Sequence, residues 1–324
     1  MKTVLVTGGA GYIGAHTCKM LFKAGYAPVT YDNLSTGHKE FVKWGELVVG
    51  DLHDTEKLAK ALEQYKPIAV IHFAASAYVG ESVENPFKYY KNNVGGTLSL
   101  IEAMIRTNVK KLVFSSTCAT YGVPDQLLID ELTPQHPINP YGRSKLMIEQ
   151  ILQDLSSRDQ INYVALRYFN AAGADNDAEI GEWHDPETHL IPLAIQSADG
   201  GEILNVYGTD FATPDGTAVR DYIHVEDLAE GHIKALEYLS SGGISDAVNL
   251  GTGQGSSVDE IIKSLREIGV GVVYQNAPRR PGDPAFLVAD NSKARSLLNW
   301  TVTNNNIKKT LETALTWHKK HGRK

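Results

Sequence analysis

The sequence predicts an α/β fold with a doubly wound parallel sheet, followed by a smaller, mixed α/β lobe. Three observations support this prediction. Short β-branched apolar runs alternate with amphipathic segments through the first half, and a glycine-rich turn directly follows the first run. The runs are continuously apolar, which is typical of strands that are covered on both faces. Alternating strands and helices imply right-handed crossovers, and these favour a parallel sheet.

The composition is that of a globular protein with one large domain or two smaller ones. Of 324 residues, 42% are apolar and 21% are charged, and no apolar run approaches the length of a membrane span, roughly 20 residues. The net charge of −7 without a basic block argues against nucleic acid as a partner. Only two cysteines, Cys18 and Cys118, are present. We therefore expect a cytoplasmic protein with neither membrane nor nucleic-acid partners.

The predicted strands of the first lobe follow the apolar runs in chain order. They cover residues 3–7, 28–31, 47–49, 69–74, 112–115 and 163–168, and all are expected to be buried. The strand–helix rhythm changes near residue 170. We assign residues 1–170 to a first domain and residues 171–324 to a smaller substrate-binding lobe. Some segments of this lobe are expected to pack back onto the first domain.

The second lobe has fewer regular elements. A loop-rich stretch over residues 175–189 precedes a helix from Leu190 and a strand near 204–207. Ser257 and Glu260 have the spacing of a capping box, which predicts a helix that runs to Ile268. Residues 307–319 form the last predicted helix.

The glycine-rich turn is a candidate pyrophosphate site. Its three glycines recur at three-residue intervals between the first strand and a helix predicted from about Ala15. Glycine has no Cβ atom to block close approach, and a helix N-terminus presents amide groups to phosphate. This pattern indicates a Rossmann-type dinucleotide site. The assigned contacts are Gly8, Gly11, Tyr12, Ile13 and Gly14.

Residues after the next strands define the rest of the nucleotide site. Asp32 stands eighteen residues beyond the last glycine. There it can accept hydrogen bonds from both ribose hydroxyls and repel a 2′-phosphate, so NAD is favoured over NADP. We therefore predict that residues 1–170 form an NAD-binding Rossmann domain. The Asp51-Leu52 pair either brackets the adenine or caps the following helix. Ala74 and Ala75 offer small side chains where a dinucleotide would pass.

Tyr141 and Lys145 form a candidate acid–base pair. Pro140 can begin a helix, and positions i and i+4 share one face, so the ammonium can lie beside the phenol. Since a free phenol titrates near 10, a base role near neutral pH needs about 4 kcal/mol in favour of phenolate. We expect Lys145 to supply part of this and an oxidised nicotinamide more.

Further motifs carry a resemblance that extends nearly from end to end. With them, the chain resembles the extended short-chain dehydrogenase/reductase family, and within it the NAD-dependent nucleotide-sugar epimerases. The resemblance implies interconversion of UDP-glucose and UDP-galactose in galactose metabolism. It also implies a homodimer that pairs through the helices around residues 87–108 and 141–155. The motifs are Thr7–Gly14, residues 72–82 (His-Phe-Ala-Ala-Ser-Ala-Tyr-Val-Gly-Glu-Ser), Asn92-Asn93, residues 115–122, Tyr141–Lys145, and residues 167–170, 220–225 and 279–283.

The resemblance also assigns roles to single residues. The catalytic residues it implies are Thr117, Tyr141 and Lys145, of which Thr117 and Tyr141 also contact the sugar. It adds to the NAD contacts Asn33, Phe73, Asn93, Ser115 and Tyr168. The UDP-sugar contacts it implies are Asn170, His189, Leu190, Asn205, Val206, Tyr207, Arg220, Arg280, Asp283 and Leu287.

These residues suggest a hydride mechanism. Thr117 can hydrogen-bond the sugar O4 while Tyr141 takes the O4 proton and hydride leaves C4 for NAD. The result is a transient 4-keto sugar, and hydride return to its opposite face inverts C4. Arg220 and Arg280 are suited to bind the diphosphate, because guanidinium groups bind phosphate oxygens bidentately.

The sequence leaves other activities open. Ala77 replaces a lysine of the better-known epimerases, and Leu287 falls where glucose-restricted enzymes carry tyrosine. The alternatives are a UDP-xylose/UDP-arabinose 4-epimerase, a UDP-N-acetylglucosamine 4-epimerase and a non-catalytic NAD-binding regulatory protein. Dehydration is disfavoured, because Cys118-Ala119 stands where dehydratases carry an acid and a base. Residues 181–189 offer metal ligands without helix-fixed spacing, and we predict no metal site.

Overall fold

Strands and helices alternate through the first half of the chain. The structure is a computed structural model that describes residues 1–280 and 282–322. A π-helical segment, Tyr90–Gly95, joins two of the helices, and short 3₁₀ helices lie at Lys39–Phe41 and Cys118–Thr120. The elements are β1 (Lys2–Thr7), α1 (Tyr12–Lys23), β2 (Tyr26–Asp32), β3 (Glu46–Val49), α2 (Thr55–Tyr65), β4 (Ala69–His72), α3 (Val79–Glu84), α4 (Pro86–Tyr89), α5 (Gly96–Arg106), β5 (Lys111–Thr117), α6 (Pro140–Ser156) and β6 (Asn162–Tyr168).

The second half contains shorter strands. Its elements are β7 (Asn170–Ala172), α7 (Leu190–Ala198), β8 (Leu204–Tyr207), β9 (Val219–Arg220), β10 (Tyr222–His224), α8 (Val225–Ser240), β11 (Asp246–Leu250), β12 (Ser256–Ser257), α9 (Val258–Glu267), β13 (Tyr274–Ala277), β14 (Phe286–Leu287), α10 (Ser292–Leu298) and α11 (Ile307–His321).

Seven parallel strands form the main sheet, which confirms the predicted fold class. Their order is β11-β6-β5-β4-β1-β2-β3. The chain builds outward from β1 in one direction and then returns to build from β4 in the other. The crevice at the carboxyl ends of β1 and β4 is therefore the topological switch point, where ligands bind in sheets of this kind.

The two faces of the sheet have separate cores. Val4 and Val6 of β1 belong to the face that α1 and α8 cover, whereas Leu5 points to the face under α2, α5 and α6. This alternation follows from the two-residue period of a strand. Each fully buried side chain of this size contributes about 1.5–3 kcal/mol, so both faces stabilise the sheet.

Three predicted details of the first lobe are wrong. Strand β3 is not buried, because it lies at the edge of the sheet, and Val49 is 49% exposed. Helix α1 begins at Tyr12 instead of near Ala15, since the amide of Ala15 already donates to the carbonyl of Gly11. Strand β4 ends at His72 instead of residue 74, because the next two amides both donate to the carbonyl of Thr7.

The elements predicted for the second lobe are present. Helix α7 begins at Leu190, and the capping box is complete, with Ser257 and Glu260 each accepting from the other's backbone amide. Helix α9 ends at Glu267, one residue before the predicted end. Helix α11 continues two residues beyond its predicted end, to His321.

Two segments of the second half join the sheet of the first. Strand β11 pairs in parallel with β6, and α8 packs against α1. Helix α10 also packs against α8 and β11, whereas α7, β8, α9 and α11 pack together around a core of their own. The division at residue 170 stays a prediction. In the described residues 1–280 and 282–322, every helix is too short or too polar to cross a membrane.

Candidate active site

The glycine-rich turn connects β1 to α1 through a very tight backbone. Gly8 has a φ of +71°, and a Cβ atom there would lie 2.6 Å from the amide nitrogen of Ala74. A Cβ atom on Gly14 would lie 2.1 Å from the carbonyl oxygen of Gly8. Gly11 is the N-cap of α1 and offers no capping side chain, so the first amides of the helix are available to a ligand. These features fit a dinucleotide pyrophosphate.

Asp32 lies at the carboxyl end of β2, beside this turn. Its two carboxylate oxygens accept from the amides of Ala10 at 3.0 Å and Leu34 at 2.8 Å. Burial raises the pKa of Asp32, while those two hydrogen bonds oppose the rise. Each oxygen keeps a second lone pair. The carboxylate is thus fixed in position and can still accept from two ribose hydroxyls.

Asp51 links two strand ends and does not cap a helix. Asn33 donates to Asp51 at 2.8 Å, while the N-cap of α2 is Asp54, which accepts from the amide of Lys57. The helix-cap alternative for Asp51 is therefore wrong. Its contact with adenine stays a prediction, as does that of the buried Leu52.

Helix α6 carries the candidate acid–base pair into the same crevice. Its N-cap, Asn139, accepts from the amide of Gly142 at 2.8 Å, and Pro140 is the first helical residue, as predicted. Tyr141 and Lys145 are both buried. The Lys145 ammonium donates to the carbonyl of Ser115 at 2.7 Å and lies 5.9 Å from the centre of the Tyr141 ring.

Burial dominates the electrostatics of this pair. Burial raises the pKa of Tyr141 and Tyr168 adds to the rise, whereas a hydrogen bond with Thr117 opposes it. Burial lowers the pKa of Lys145 to about 7, although Glu149 favours its charged form. For these residues by themselves, desolvation dominates the pKa of Tyr141, and the ammonium of Lys145 is directed at a carbonyl. The contribution of Lys145 to a lower phenol pKa stays a prediction.

Thr117 ends β5 beside the pair. It is buried, and its Oγ1 accepts from the amide of Ala119 at 3.1 Å. The same hydroxyl hydrogen-bonds Tyr141, so both groups can contact one substrate oxygen. Thr117, Tyr141 and Lys145 are thus brought together at the carboxyl edge of the sheet.

The other predicted NAD contacts surround this edge. The hydroxyls of Ser115 and Tyr168 share a hydrogen bond of 2.6 Å, and Phe73 packs against His232. Ala74 and Ala75 follow β4, where the Ala74 amide faces Gly8.

Asn93 has a structural role that its position in the sequence does not reveal. It is fully buried in the π-helical segment. Its amide group donates to Ser144 on α6 at 3.1 Å and to the carbonyl of Ser76 at 3.0 Å, and accepts from the amide of Ser76 at 2.8 Å. It therefore ties the segment after β4 to the catalytic helix.

Predicted substrate residues form two neighbouring groups. Arg220 donates to Asp283 at 2.5 Å, and Leu287 pairs with Arg220 across the strands β14 and β9. The guanidinium of Arg280 stacks 4.0 Å from the ring centre of Tyr207.

The remaining predicted contacts contribute in different ways. His189 and Leu190 lie at the start of α7, and the Asn170 amide is bonded to the carbonyl of Asp221. The side chain of Asn205 is exposed and accepts from Gln275 at 2.9 Å, whereas the next residue, Val206, is buried.

A buried ion pair beneath the catalytic helix was missed at the sequence level. Arg167 on β6 donates to Glu149 at 2.6 Å, and Ser116, the neighbour of Thr117, also donates to Glu149. Glu149 lies four residues after Lys145, on the same face of α6. That spacing is the signal that could have identified it.

Comparisons with known proteins agree with this geometry. The family model described as the NAD dependent epimerase/dehydratase family matches residues 4–251. A UDP-glucose 4-epimerase of Rhizobium meliloti (strain 1021) is 52% identical over 321 residues, which cover 98% of this chain and 97% of the relative.

Two solved structures have the same fold over nearly all their length. The UDP-glucose 4-epimerase from Brucella ovis in complex with NAD is 54% identical, with a TM-score of 0.94 and 98% of both chains covered. The UDP-glucose 4-epimerase from Stenotrophomonas maltophila with bound NAD and formylated UDP-arabinopyranose is 38% identical. Its TM-score is 0.96, and the match covers 99% of this chain and 98% of that one.

Proposed function

The chain belongs to the NAD dependent epimerase/dehydratase family, and from this premise we propose that it is a UDP-glucose 4-epimerase that acts in galactose metabolism. It is an NAD-dependent isomerase that interconverts UDP-glucose and UDP-galactose. One observation carries the assignment: Thr117, Tyr141 and Lys145 meet in a buried crevice of a chain that is half identical to enzymes of this name.

The residues of the chain divide the reaction between them. When bound, NAD supplies the chemistry of accepting hydride from C4 of the sugar and returning it. Thr117 turns its hydroxyl from Tyr141 to O4, donates a hydrogen bond to it and orients that oxygen. Tyr141 removes the O4 proton as the sugar is oxidised to a 4-keto form and returns it as the sugar is reduced. Lys145, held on the carbonyl of Ser115, binds the ribose and stabilises the ionised phenol.

A separate set of residues retains the nucleotide while the sugar turns over. Arg220 and Arg280 neutralise the diphosphate, and Asp283 orients Arg220 through their ion pair. The sugar itself has few fixed partners in this scheme. It can therefore present either face of C4 while the UDP group stays bound.

Leu287 limits the size of the sugar in this proposal. It lies on β14 and packs against the group formed by Cys118, Tyr121, Phe169 and Ala289. Its side chain fills space without offering a hydroxyl. We expect strong turnover of UDP-glucose and slower turnover of UDP-N-acetylglucosamine. The arabinose-type ligand in a relative that is 38% identical favours pentoses as a second substrate class. Loss of one hydroxymethyl contact in an apolar pocket costs only about 1–3 kcal/mol.

The test is turnover of a UDP-sugar panel by purified protein without added NAD. We expect conversion of UDP-glucose with tightly bound NAD and no 4-keto-6-deoxy product. Tenfold faster turnover of UDP-xylose would favour the pentose alternative, and binding of NAD without turnover of any sugar would favour the regulatory one. Leu287→Tyr should reduce N-acetylhexosamine activity more than glucose activity. An unchanged ratio of N-acetylhexosamine to glucose activity would show that Leu287 does not limit the size of the sugar.

We also propose that the protein is a homodimer. The candidate interface is the surface of α3, α4, α5 and α6, of which α3 and α4 pack directly against α6. Apolar side chains are exposed along it, and contiguous exposure of this kind marks interaction sites. They are Val83, Phe87, Leu98, Ile105 and Met147.

A further inference from the structure

Four side chains with metal-binding atoms converge in the loop before α7. One ligand atom from each lies within 4.8 Å of every other. The loop is adjacent to the glycine-rich turn, since the ring of Tyr12 contacts one of the imidazoles edge-on. We refer to these side chains as the Glu–His cluster, which consists of Glu182, His184, Glu187 and His189.

Two of the distances within the Glu–His cluster match those around a tetrahedral ion. Nδ1 of His184 lies 3.4 Å from a carboxylate oxygen of Glu182 and 3.5 Å from one of Glu187. Ligand bonds of 2.0–2.1 Å in a tetrahedron place neighbouring ligand atoms about 3.4 Å apart. Nδ1 of His189 lies closer, 2.9 Å from an oxygen of each glutamate.

A second observation also indicates a ligand. Nδ1 of His184 is buried and makes no hydrogen bond to any part of residues 1–280 and 282–322. A buried polar atom without a partner costs about 1–3 kcal/mol. The rings of Tyr12 and Tyr78 pack edge-on against this imidazole at 6.3 Å and 5.9 Å, and hold it toward the carboxylates.

We propose that the Glu–His cluster is a zinc site with two imidazole and two carboxylate ligands. Imidazole ligands favour zinc over magnesium or calcium, which bind through oxygen atoms. Four protein ligands leave no open position, so the ion is structural and takes no part in the hydride reaction. The side chain of His189 then binds the ion and not the UDP-sugar, to which the resemblance had assigned it. It fixes the loop beside α1 and sets the position at which α7 begins.

The alternative is a network of ion pairs without metal. Burial lowers the pKa of His189, but Glu182 and Glu187 outweigh it and raise this pKa to about 10. Such a network would account for the short contacts of His189. Burial also lowers the pKa of His184, and the same two glutamates again outweigh it and raise this pKa to about 9, so the network would include both imidazoles. Direct measurement of bound metal separates the two alternatives.

The sequence-based prediction of no metal rested on the absence of helical ligand spacing. In the structure, the conformation of the loop, and not a helix, brings the four side chains together. The amides of Thr188 and His189 donate to Glu187 at 2.7 Å and 2.9 Å, which turns the backbone so that alternate side chains point inward.

The experiment measures metal in the intact, NAD-loaded protein. Wild type, His184→Gln and the control His136→Gln, which changes an exposed histidine, are stripped with a chelator, dialysed and titrated with zinc sulfate. Wild type and His136→Gln should bind zinc in a one-to-one ratio. His184→Gln lacks one of the four proposed ligands. It should bind zinc more than about 100-fold more weakly, since loss of an outer-shell partner alone costs about 10–100-fold.

Other results would overturn the site. They are the absence of stoichiometric zinc from wild type, or equal affinity in His184→Gln. If circular dichroism shows that His184→Gln is unfolded, a second experiment titrates stripped wild type with Co²⁺ in place of zinc. Visible absorption of a four-coordinate ion that zinc displaces supports the site, and its absence contradicts it. None of these readouts uses turnover, so they are independent of the proposed epimerase activity.

Discussion

The Lys145 ammonium is buried on the carbonyl of Ser115, where its pKa falls to about 7. One turn earlier, burial raises the pKa of the Tyr141 phenol. At the scale of single residues, the protein thus favours a neutral phenol before ligands bind. Tyr141 can act as a base only if a positive charge stabilises its phenolate. Most of that charge has to come from the oxidised nicotinamide.

Tyr141→Phe should lower kcat by at least about 100-fold and still bind NAD, because general acid–base transfer contributes 10²–10⁴-fold. Turnover of UDP-galactose and the bound NAD content are measured together. Tyr65→Phe removes an exposed hydroxyl on α2 and serves as the control with normal activity. Near-normal turnover in Tyr141→Phe would contradict the mechanism.

Lys145 should also make NAD-free protein more stable as the pH rises from 7 to 9. Its pKa is about 7 in the folded state and near 10.4 when unfolded, so the unfolded chain binds more protons across this range. Relative to Lys145→Met, wild type should gain up to about 2 kcal/mol in urea unfolding.

The control for this comparison is Lys60→Met, which changes an exposed lysine of α2. It should follow the pH dependence of wild type. Parallel curves for wild type and Lys145→Met would show that burial does not lower the pKa of Lys145.

At the scale of elements, short-range patterns were predictable and long-range pairing was not. The glycine turn, the capping box of Ser257 and the start of α6 at Pro140 each depend on a few adjacent residues. The exposure of β3 depends on its place at the sheet edge, which periodicity does not encode. The Asn93 contacts and the Glu149–Arg167 pair join different elements. A local pattern places Glu149 on the same helix face as Lys145 but does not specify either set of contacts.

The glycine turn allows a test with a matched control. Gly14→Ala should reduce NAD affinity by at least about tenfold, or 1.4 kcal/mol, because its Cβ atom would collide with the Gly8 carbonyl. Gly80→Ala in α3 meets no atom within 4 Å and should bind NAD normally. NAD titration by fluorescence measures both. Equal affinities would show that the turn tolerates the Cβ atom.

At the scale of the whole molecule, the catalytic helix α6 also contributes to the proposed dimer surface. Phe87 is 74% exposed on the adjoining α4. Phe87→Asp should raise the dimer dissociation constant about 30-fold, since a central aromatic contact is worth about 2 kcal/mol.

Light scattering coupled to size exclusion measures this change in oligomeric state. Ile244→Asp, which alters an exposed apolar residue after α8, should remain dimeric. A monomeric wild type, or a dimer that Phe87→Asp leaves intact, would exclude this interface.

The pairing of β11 with β6 has a consequence for synthesis of the chain. The ribosome adds roughly 80 residues between these strands, which takes roughly 4–16 s at 5–20 residues per second. During that interval, the part of the sheet that α8 later covers, including Val113 and Leu166, stays open to water. Nascent chains stalled before α8 should therefore bind chaperones that recognise apolar strands, and chains stalled after β11 has left the exit tunnel should not.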